Sequence, residues 1–418
     1  MQKKILLSHP TGNSNVRGIL IGLQEHEMLH SFHTSIACFE GSLLDKLAAI
    51  SFLKEFRKRR FSGNVCKQTI TYPYMELGRV FAQKLKINRW LTHEQGRFCI
   101  DQIYRQFDKR VAKYLTQHQN ISAVYCYEDG ALETFRQAKK MGIKCIYDLP
   151  IAYWRAMHRM LSEEKYKNPD WAVTLGGFND SDEKLQRKDE ELALANVIYV
   201  ASNFTKQTLQ EYPDILAPVQ VIPYGFPPVN EARNYTSAQN RKLKLLYVGG
   251  LSQRKGISYL FEAVKGLEKW TELTIVGKGN MECEALKKAL SDCTYIPSLP
   301  HSEILALMAT QDILLFPSLF EGFGLVITEA MSQGTPVITT DRTCGPDMIT
   351  SGHDSWLVEA GSASSIREQI EQILERPAML KLTGQAAIQT AKQRLWSQYG
   401  LEMTESIERF LNNSHNAL

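Results

Sequence analysis

The strongest constraint on how this chain can fold is a strand, a glycine turn and a helix written into one short segment. Asp312-Ile-Leu-Leu-Phe316 is a short apolar strand, Pro317-Ser-Leu-Phe-Glu-Gly-Phe-Gly-Leu-Val-Ile-Thr-Glu329 follows it, and a helix runs on to Gly334-Thr-Pro336. The unpaired N–H groups of a helix start converge with the helix dipole on one spot, so this turn is a ready anion site. Glu321 lies in the turn itself, and Glu329 lies on a largely apolar helix, where a carboxylate is seldom merely solvated. Two carboxylates beside an anion site fit a ligand that carries both phosphates and hydroxyls.

The same alternation of strand and helix runs through the chain and implies parallel sheets covered by helices. Strand candidates in the first half are Lys4–Ser8, Ala123–Tyr127, Lys144–Asp148, Asn196–Val200 and Val219–Ile222. In the second half they are Leu243–Val248, Glu272–Val276, Asp312–Phe316, Thr335–Thr340 and Ser355–Val358. Between them, Ile257, Leu260, Phe261, Val264 and Leu267 make one helical stripe, and Ile304, Leu305, Leu307 and Met308 another. The stretch from Pro223 to Asn240 is rich in Pro, Asn and Ser and has no apolar period, which marks a linker. At 418 residues the chain is too long for one small core. The expectation is an α/β protein of two Rossmann-like, doubly wound domains facing a cleft: residues 1–224, a linker at 225–240, residues 241–395, and a terminal helix at 396–418 that crosses back to the first domain. Residues 40–118 are expected to be mostly helical, with basic and aromatic residues interleaved. Open α/β sheets bind ligands beyond the carboxyl ends of their strands, so the loops after strands are the informative ones.

Composition excludes a few classes. The net charge of +4 is small for this length and argues neither for nor against nucleic acid, although residues 54–60 and the first quarter are more basic than the rest. The eight cysteines show no Cys-x-x-Cys pair and no metal spacing, which reads as a reduced, cytoplasmic chain. The run Ile5-Leu6-Leu7 is cut by His9-Pro10 and is read as a strand, not a secretion leader. No stretch is apolar over the roughly twenty residues of a membrane span, so any membrane association is peripheral, at the inner face.

Three loops after strands carry chemistry. Tyr247-Val-Gly-Gly-Leu-Ser-Gln-Arg-Lys-Gly256 sets a glycine turn and then Arg254-Lys255 directly before a helix. Cations are disfavoured at a helix start unless an anion sits there, and a guanidinium fork plus an ammonium suits a diphosphate. Gly277-Lys-Gly-Asn280 is a second strand-end glycine loop, either an ordinary turn or part of a nucleotide wall. The third loop holds the glutamate pair.

Taken together, Arg254-Lys255-Gly256, Pro317-Ser318, Glu321-Gly-Phe-Gly-Leu-Val-Ile-Thr-Glu329-Ala330 and Gly334-Thr-Pro-Val337 resemble glycosyltransferase family four, most specifically over residues 243–360. The resemblance implies a GT-B architecture and a retaining enzyme that uses a nucleoside-diphosphate sugar without an obligatory metal or other cofactor. It implies that Glu329 holds the ribose hydroxyls and that Glu321 sits by the sugar ring. The N–H groups of Phe323, Gly324 and Leu325 would bind sugar hydroxyls or phosphate, and Arg254 and Lys255 would neutralise the departing diphosphate. Gly249 and Gly277 fall among the donor-binding loops. Thr11-Gly12-Asn13, after the first strand, resembles the family's glycine loop beside donor and acceptor, which puts Gly12 and Asn13 at the donor. Asp148 falls where many members have a histidine near the reacting sugar. Two departures stand out: Gly250 occupies a position often held by arginine, and Asp148 replaces that histidine.

The expected function is thus transfer of a hexose-type sugar to an acceptor hydroxyl on a glycan, a lipid-linked molecule or a small molecule, with no nucleic-acid partner. Glu321, Asp148, Arg254 and Lys255 are the expected catalytic residues. A nucleotide-sugar epimerase or hydrolase, or a non-catalytic nucleotide-sugar-binding subunit, remain as alternatives. Among weaker signals, Asp180-Ser-Asp182 precedes a charged helix and reads as a helix cap, with no metal role. Glu128 and Asp129 either face the acceptor or cap a helix. His33 and His158 read as packed or surface histidines, with an acceptor pocket as the alternative for the segment around His158. The basic and aromatic residues of 52–114 read as a solvated helical region supplying the acceptor side, or as a surface for a lipid-linked acceptor.

Overall fold

Short, buried runs of β-branched, aromatic and leucine side chains, each followed by a helix, can satisfy both sheet faces only in parallel arrays. The computed structural model, which describes residues 3–42, 45–46, 56 and 58–413, has two such sheets. The first contains β1 (Ile5–Ser8), β2 (Leu29–Thr34), β3 (Thr69–Thr71), β4 (Ala123–Tyr127), β5 (Lys144–Leu149), β6 (Val197–Val200) and β7 (Val219–Val221), in the order β3-β2-β1-β4-β5-β6-β7. The second contains β8 (Leu243–Val248), β9 (Thr271–Val276), β10 (Thr294–Ile296), β11 (Ile313–Phe316), β12 (Val337–Thr340) and β13 (Trp356–Val358), in the order β10-β9-β8-β11-β12-β13. Neighbouring strands pair in parallel throughout. Both sheets reverse their winding once, between β1 and β4 and between β8 and β11. These are the switch points at which open α/β sheets leave a crevice.

Three strands escaped the sequence reading. β2 reads Leu-His-Ser-Phe-His-Thr, so its polar side chains conceal the apolar run, although His33 and Thr34 are fully buried. β3 and β10 are edge strands of three residues, too short to show a period. Residues 40–118 were expected to be mostly helical. They hold helices Tyr74–Lys84 and Ile100–Gln117 but also β3. Phe52, Lys54, Glu55 and Arg57 of the basic–aromatic stretch lie outside the described residues.

The chain passes between the domains twice, and the two passages touch. Phe226 N–H donates to the Arg394 carbonyl at 2.8 Å, Arg394 Nη2 donates to the Pro223 carbonyl at 2.6 Å, and Phe226 bridges to Leu395. Gly225 is pressed against the backbone of Trp396, 2.6 Å from where its Cβ would stand. The last helix, Trp396–Asn413, then lies on helix Ser14–Glu25 of the first domain. Gly18 and Gly22 meet Gly400 there, and a Cβ on Gly22 or Gly400 would collide with a carbonyl of the facing helix.

A second seam joins helix Trp154–Lys167 and the turn Pro169–Thr174 to the other domain. Glu164, buried, accepts from Gln253 Nε2 (2.7 Å) and from Tyr259 Oη (3.0 Å), and Asn168 Nδ2 donates to Tyr259 Oη (3.0 Å). Thr174 Oγ1 accepts from Gln253 N–H at 2.9 Å, and Trp171 stacks on Phe261 at 6.0 Å. Phe320 enters a small apolar cluster with Ala152, Ala156, Leu161 and Phe204. Nearby, the Gly322 carbonyl accepts from Ser202 Oγ (2.6 Å) and Thr205 Oγ1 (2.9 Å), and the Pro150–Ile151 backbone leaves no room for a side chain there.

Candidate active site

Both switch points open onto one interdomain cleft of about 1000 Å³. From the first domain it is lined by the loop after β1, His9 to Asn13, and by Tyr127, Glu128 and Asp129 at the end of β4. From the second it is lined by Gly249, Arg254, Lys255, Glu321 to Val326, and Glu329.

The loop after β8 winds into a single 3-10 turn, Gln253–Lys255, closed by Gly256 at φ +69°. A side chain at Gly256 would collide with the Pro317 carbonyl, so this glycine lets the loop lie against the loop after β11. Leu319 N–H donates to the Arg254 carbonyl at 2.9 Å, which ties the two loops together. Glu321, 7 % exposed, is the centre of the result. Its carboxylate accepts from Ser318 Oγ at 3.0 Å and from Arg254 Nη1 at 3.3 Å, and Lys255 Nζ pairs with the same oxygen. Arg254 Nη1 also donates to the Phe320 carbonyl at 2.7 Å, and Lys255 Nζ stands 5.0 Å from the centre of the Phe316 ring. Burial holds the Lys255 ammonium below the usual lysine range, against the pull of Glu321. Two cations meet one carboxylate, so the group keeps an excess of positive charge facing the cleft.

Gly324 (φ +93°) opens helix Leu325–Ser332 with no side chain capping it, and Phe323, Gly324 and Leu325 line the cleft at that helix start. Glu329 follows on the same helix and also lines the cleft. Its Oε1 takes His301 Nε2 at 2.9 Å, and that hydrogen bond raises the pKa of His301. On the facing wall Gly12 sits at φ +66°, and the N–H groups of Thr11 and Gly12 donate to His9 Nδ1 at 3.0 and 2.9 Å. Burial, with Arg59 adding to it, lowers the His9 pKa to about 3. The ring is therefore neutral at physiological pH, with its proton on Nε2. Asn13 lines the cleft beside it, and Asn15 Nδ2 donates to Tyr224 Oη at 3.4 Å.

Two residues expected at the site stand elsewhere. Asp148 does not line the cleft: it is 2 % exposed in β5, and its Oδ2 accepts from Tyr125 Oη at 2.6 Å. Burial raises its pKa to about 7. The strand end that carries it is covered by aromatic side chains, and Tyr127 takes the place on the cleft wall. Gly277 does not reach the cleft either. Its φ of +153° lets its backbone press on the Gly249 carbonyl, so the second glycine loop supports the first instead of lining the site.

The weaker signals are also placed. Ser181 caps helix Asp182–Leu194 by accepting from Lys184 N–H. Asp180 faces His93 and Glu94, but Lys184 Nζ, 3.0 Å from Asp180, already supplies a cation there. Glu128 and Asp129 line the cleft and pair with Lys188 Nζ at 3.0 and 3.5 Å. Their loop is held by Glu191, which accepts from the N–H groups of Asp129, Ala131 and Leu132. Tyr153, Trp154 and Arg155 all bind Asp189, away from the cleft. His158 stacks on Phe178 at 5.2 Å, and His33 is buried between Ser31 and Tyr72. The sequence reading missed His9, Arg17, Arg59, Tyr104 and Tyr224 as cleft residues. Of these, only the position of His9, directly after a strand, was a usable signal.

Residues 229–391 match the family model described as glycosyl transferases group 1. The glycogen synthase of Mycobacterium tuberculosis is 29 % identical over 164 residues, which is 37 % of this chain and 39 % of that protein. The amylovoran biosynthesis glycosyltransferase AmsK of Erwinia amylovora is 29 % identical over 163 residues, 35 % of this chain and 40 % of that protein. The matched stretch thus spans about two fifths of the length of these curated relatives. Solved structures extend the likeness to the whole chain. Sucrose-phosphate synthase from Thermosynechococcus elongatus superimposes with a TM-score of 0.66 at 16 % identity, covering 99 % of this chain and 100 % of that one. Anabaena Alr3699/HepE in complex with UDP and glucose gives 0.61 at 15 % identity, covering 98 % and 100 %. At such identities the agreement concerns the fold, a GT-B arrangement of two Rossmann-like domains, and residues 229–391 are similar to glycosyl transferases group 1.

Proposed function

We propose that this protein is a retaining, metal-independent glycosyltransferase that moves a hexose-type sugar from a nucleoside diphosphate to an acceptor hydroxyl. The observation that carries this reading is the union of Arg254, Lys255 and Glu321 beside an uncapped helix start, at the switch point of the second sheet. A glycosyl–phosphate bond breaks as negative charge gathers on the departing diphosphate. Fixed cations in a sheltered site stabilise that charge with no reorganisation. Arg254 offers a planar fork and Lys255 a point charge, which together supply the countercharge that a divalent ion gives elsewhere. Glu321 holds both cations in place and, in this reading, stands beside the transferring ring. Glu329 accepts the ribose hydroxyls, with His301 steadying it. The acceptor enters from the first-domain wall and attacks on the face the diphosphate leaves, so that a diphosphate oxygen takes its proton.

The test is donor binding and turnover in Lys255→Ala and Glu329→Ala. Each should lower turnover of the nucleotide-sugar at least tenfold while leaving the melting temperature of the unliganded protein close to wild type. Wild-type turnover in both would exclude the reading. Activity unchanged by EDTA is expected, and loss of activity restored by a divalent ion would remove the metal-independent part.

A further inference from the structure

The first-domain wall of the cleft carries positive charge that the donor does not use. Arg17 stands in the first turn of helix Ser14–Glu25, just past the Gly12 loop, and Lys58 and Arg59 approach from the segment before Phe61. Phe61 packs under Gly12, the Arg17 guanidinium carbon lies 5.3 Å from its ring centre, and Arg17 Nη2 donates to the Lys58 carbonyl at 2.6 Å. Arg59 Nη2 meets Glu76 at 2.9 Å, but Glu76 is shared with Arg79, whose Nη2 lies 2.7 Å from it. Arg17 has no carboxylate partner among the described residues. Arg17 Nε and Arg59 Nη1 are both buried without a hydrogen-bond acceptor among the described residues. The crowding is felt electrostatically: burial, with Arg59 adding to it, lowers the pKa of Arg17.

Charge matching along this wall is uneven. Asp101 is matched by Lys184 at 2.8 Å, and Glu128 by Lys188 at 3.0 Å. Asp129 shares Lys188 with Glu128, so a carboxylate is in excess there; among the described residues the unmatched positive charge is at Arg17 and Arg59, on the first-domain wall that faces Arg254 and Lys255. Two buried guanidinium N–H groups without acceptors are costly unless an oxyanion completes them. Paired guanidinium forks fit the oxygens of phosphate or carboxylate.

We propose that Arg17 and Arg59 form an anion subsite for the acceptor, so that the acceptor is a sugar bearing a phosphate or carboxylate group that binds on the first-domain wall. This rests on the transfer reading above, which places the donor on the opposite wall. A neutral acceptor would leave both N–H groups unpaired.

The test measures binding to wild type, Arg59→Gln, Arg59→Lys and Lys255→Ala. The probes are UDP, GDP and ADP, followed by inorganic phosphate, hexose 6-phosphates, hexuronates and neutral hexoses added to protein saturated with the best nucleotide. Expected is tighter binding of an anionic sugar than of its neutral counterpart, an at least tenfold loss of that binding in Arg59→Gln, and partial recovery in Arg59→Lys. Nucleotide affinity should stay within twofold of wild type in Arg59→Gln. The phosphate and carboxylate arms separate the two sources of the anion. The inference is overturned if no anionic probe binds more tightly than a neutral hexose, or if Arg59→Gln loses nucleotide affinity, which would assign the arginines to the donor. Should Arg59→Gln fail to fold, Arg17→Gln carries the same comparison. Failure of the donor reading is seen separately, as unchanged nucleotide affinity in Lys255→Ala.

Discussion

Burial sorts the ionisable side chains of this protein into those that face a ligand and those that face only their neighbours. Glu321, in the turn after β11, and Asp148, in β5, are both buried carboxyls, yet the first meets two cations and the second meets tyrosine hydroxyls. Desolvation raises Asp148 from the ordinary 3.8 to about 7. A raised folded-state pKa means that the folded protein holds the proton more tightly than the unfolded chain. The associated stability is fully present below pH 3.8, declines as pH rises, and is gone above about 7. Its full size is up to about 4 kcal/mol at 1.36 kcal/mol per pKa unit. Asp148→Asn removes the titration while keeping an oxygen for Tyr125. Its melting temperature should therefore gain on wild type progressively between pH 4 and pH 8; a difference that does not vary with pH would be the wrong sign of control. The cleft residues Arg254, Lys255, Glu321 and Glu329 could be picked out in the sequence because glycine turns and helix starts impose fixed spacings on the groups beside them. Arg17 and Arg59 could not, because no spacing links them: they meet only when the helix after β1 and the segment before Phe61 come together. Asp148 was expected at the site because it falls where the resemblance places a histidine, and that correspondence says nothing about the tyrosines that pack over it here.

At the scale of elements, the site is a matter of two loops held backbone to backbone. Gly256 is left-handed and faces the Pro317 carbonyl, and Leu319 bonds to Arg254 across the same contact. An L-residue in this conformation costs about 1–2 kcal/mol before any steric conflict. Gly256→Ala should accordingly lower the melting temperature and also separate Lys255 from Glu321, with nucleoside-diphosphate affinity falling at least tenfold by calorimetry. Wild-type affinity in a folded Gly256→Ala would show that the loop contact does not position the cations. Most strands were legible because parallel strands buried on both faces are written as continuous apolar runs. β2 was not, since His33 and Ser31 satisfy each other inside the sheet, and a hydrogen-bonded polar pair leaves no apolar signal. β3 and β10 are too short for any period to show.

For the whole molecule, the seam around Glu164 connects the first domain to the turn that presents Arg254 and Lys255. Gln253 is fully buried and donates to Glu164, and its own N–H donates to Thr174. Glu164→Ala strands the Gln253 and Tyr259 donors, at a cost of about 1–3 kcal/mol for an unpaired buried group. The expected result is a lower melting temperature together with weaker nucleotide binding, although Glu164 does not line the cleft. A stability loss with unchanged nucleotide affinity would show that the seam is only structural. The two-domain arrangement itself was legible from the linker composition and the restart of a strand at Leu243. The seam was not, because its polar partners are separated by some ninety positions and share no motif.

The paired crossing at Phe226 and Leu395 has a mechanical consequence. Two covalent connections placed far apart would brace the domains rigidly, and a single one would let them swivel. Here the two connections run side by side and are hydrogen-bonded to each other, so they act as one short strap. A strap of that kind resists twisting and sliding but bends readily about its own line. Whether the gap between the two walls widens is thus set by the contacts of Glu164 with Gln253 and Tyr259 and not by the covalent connections.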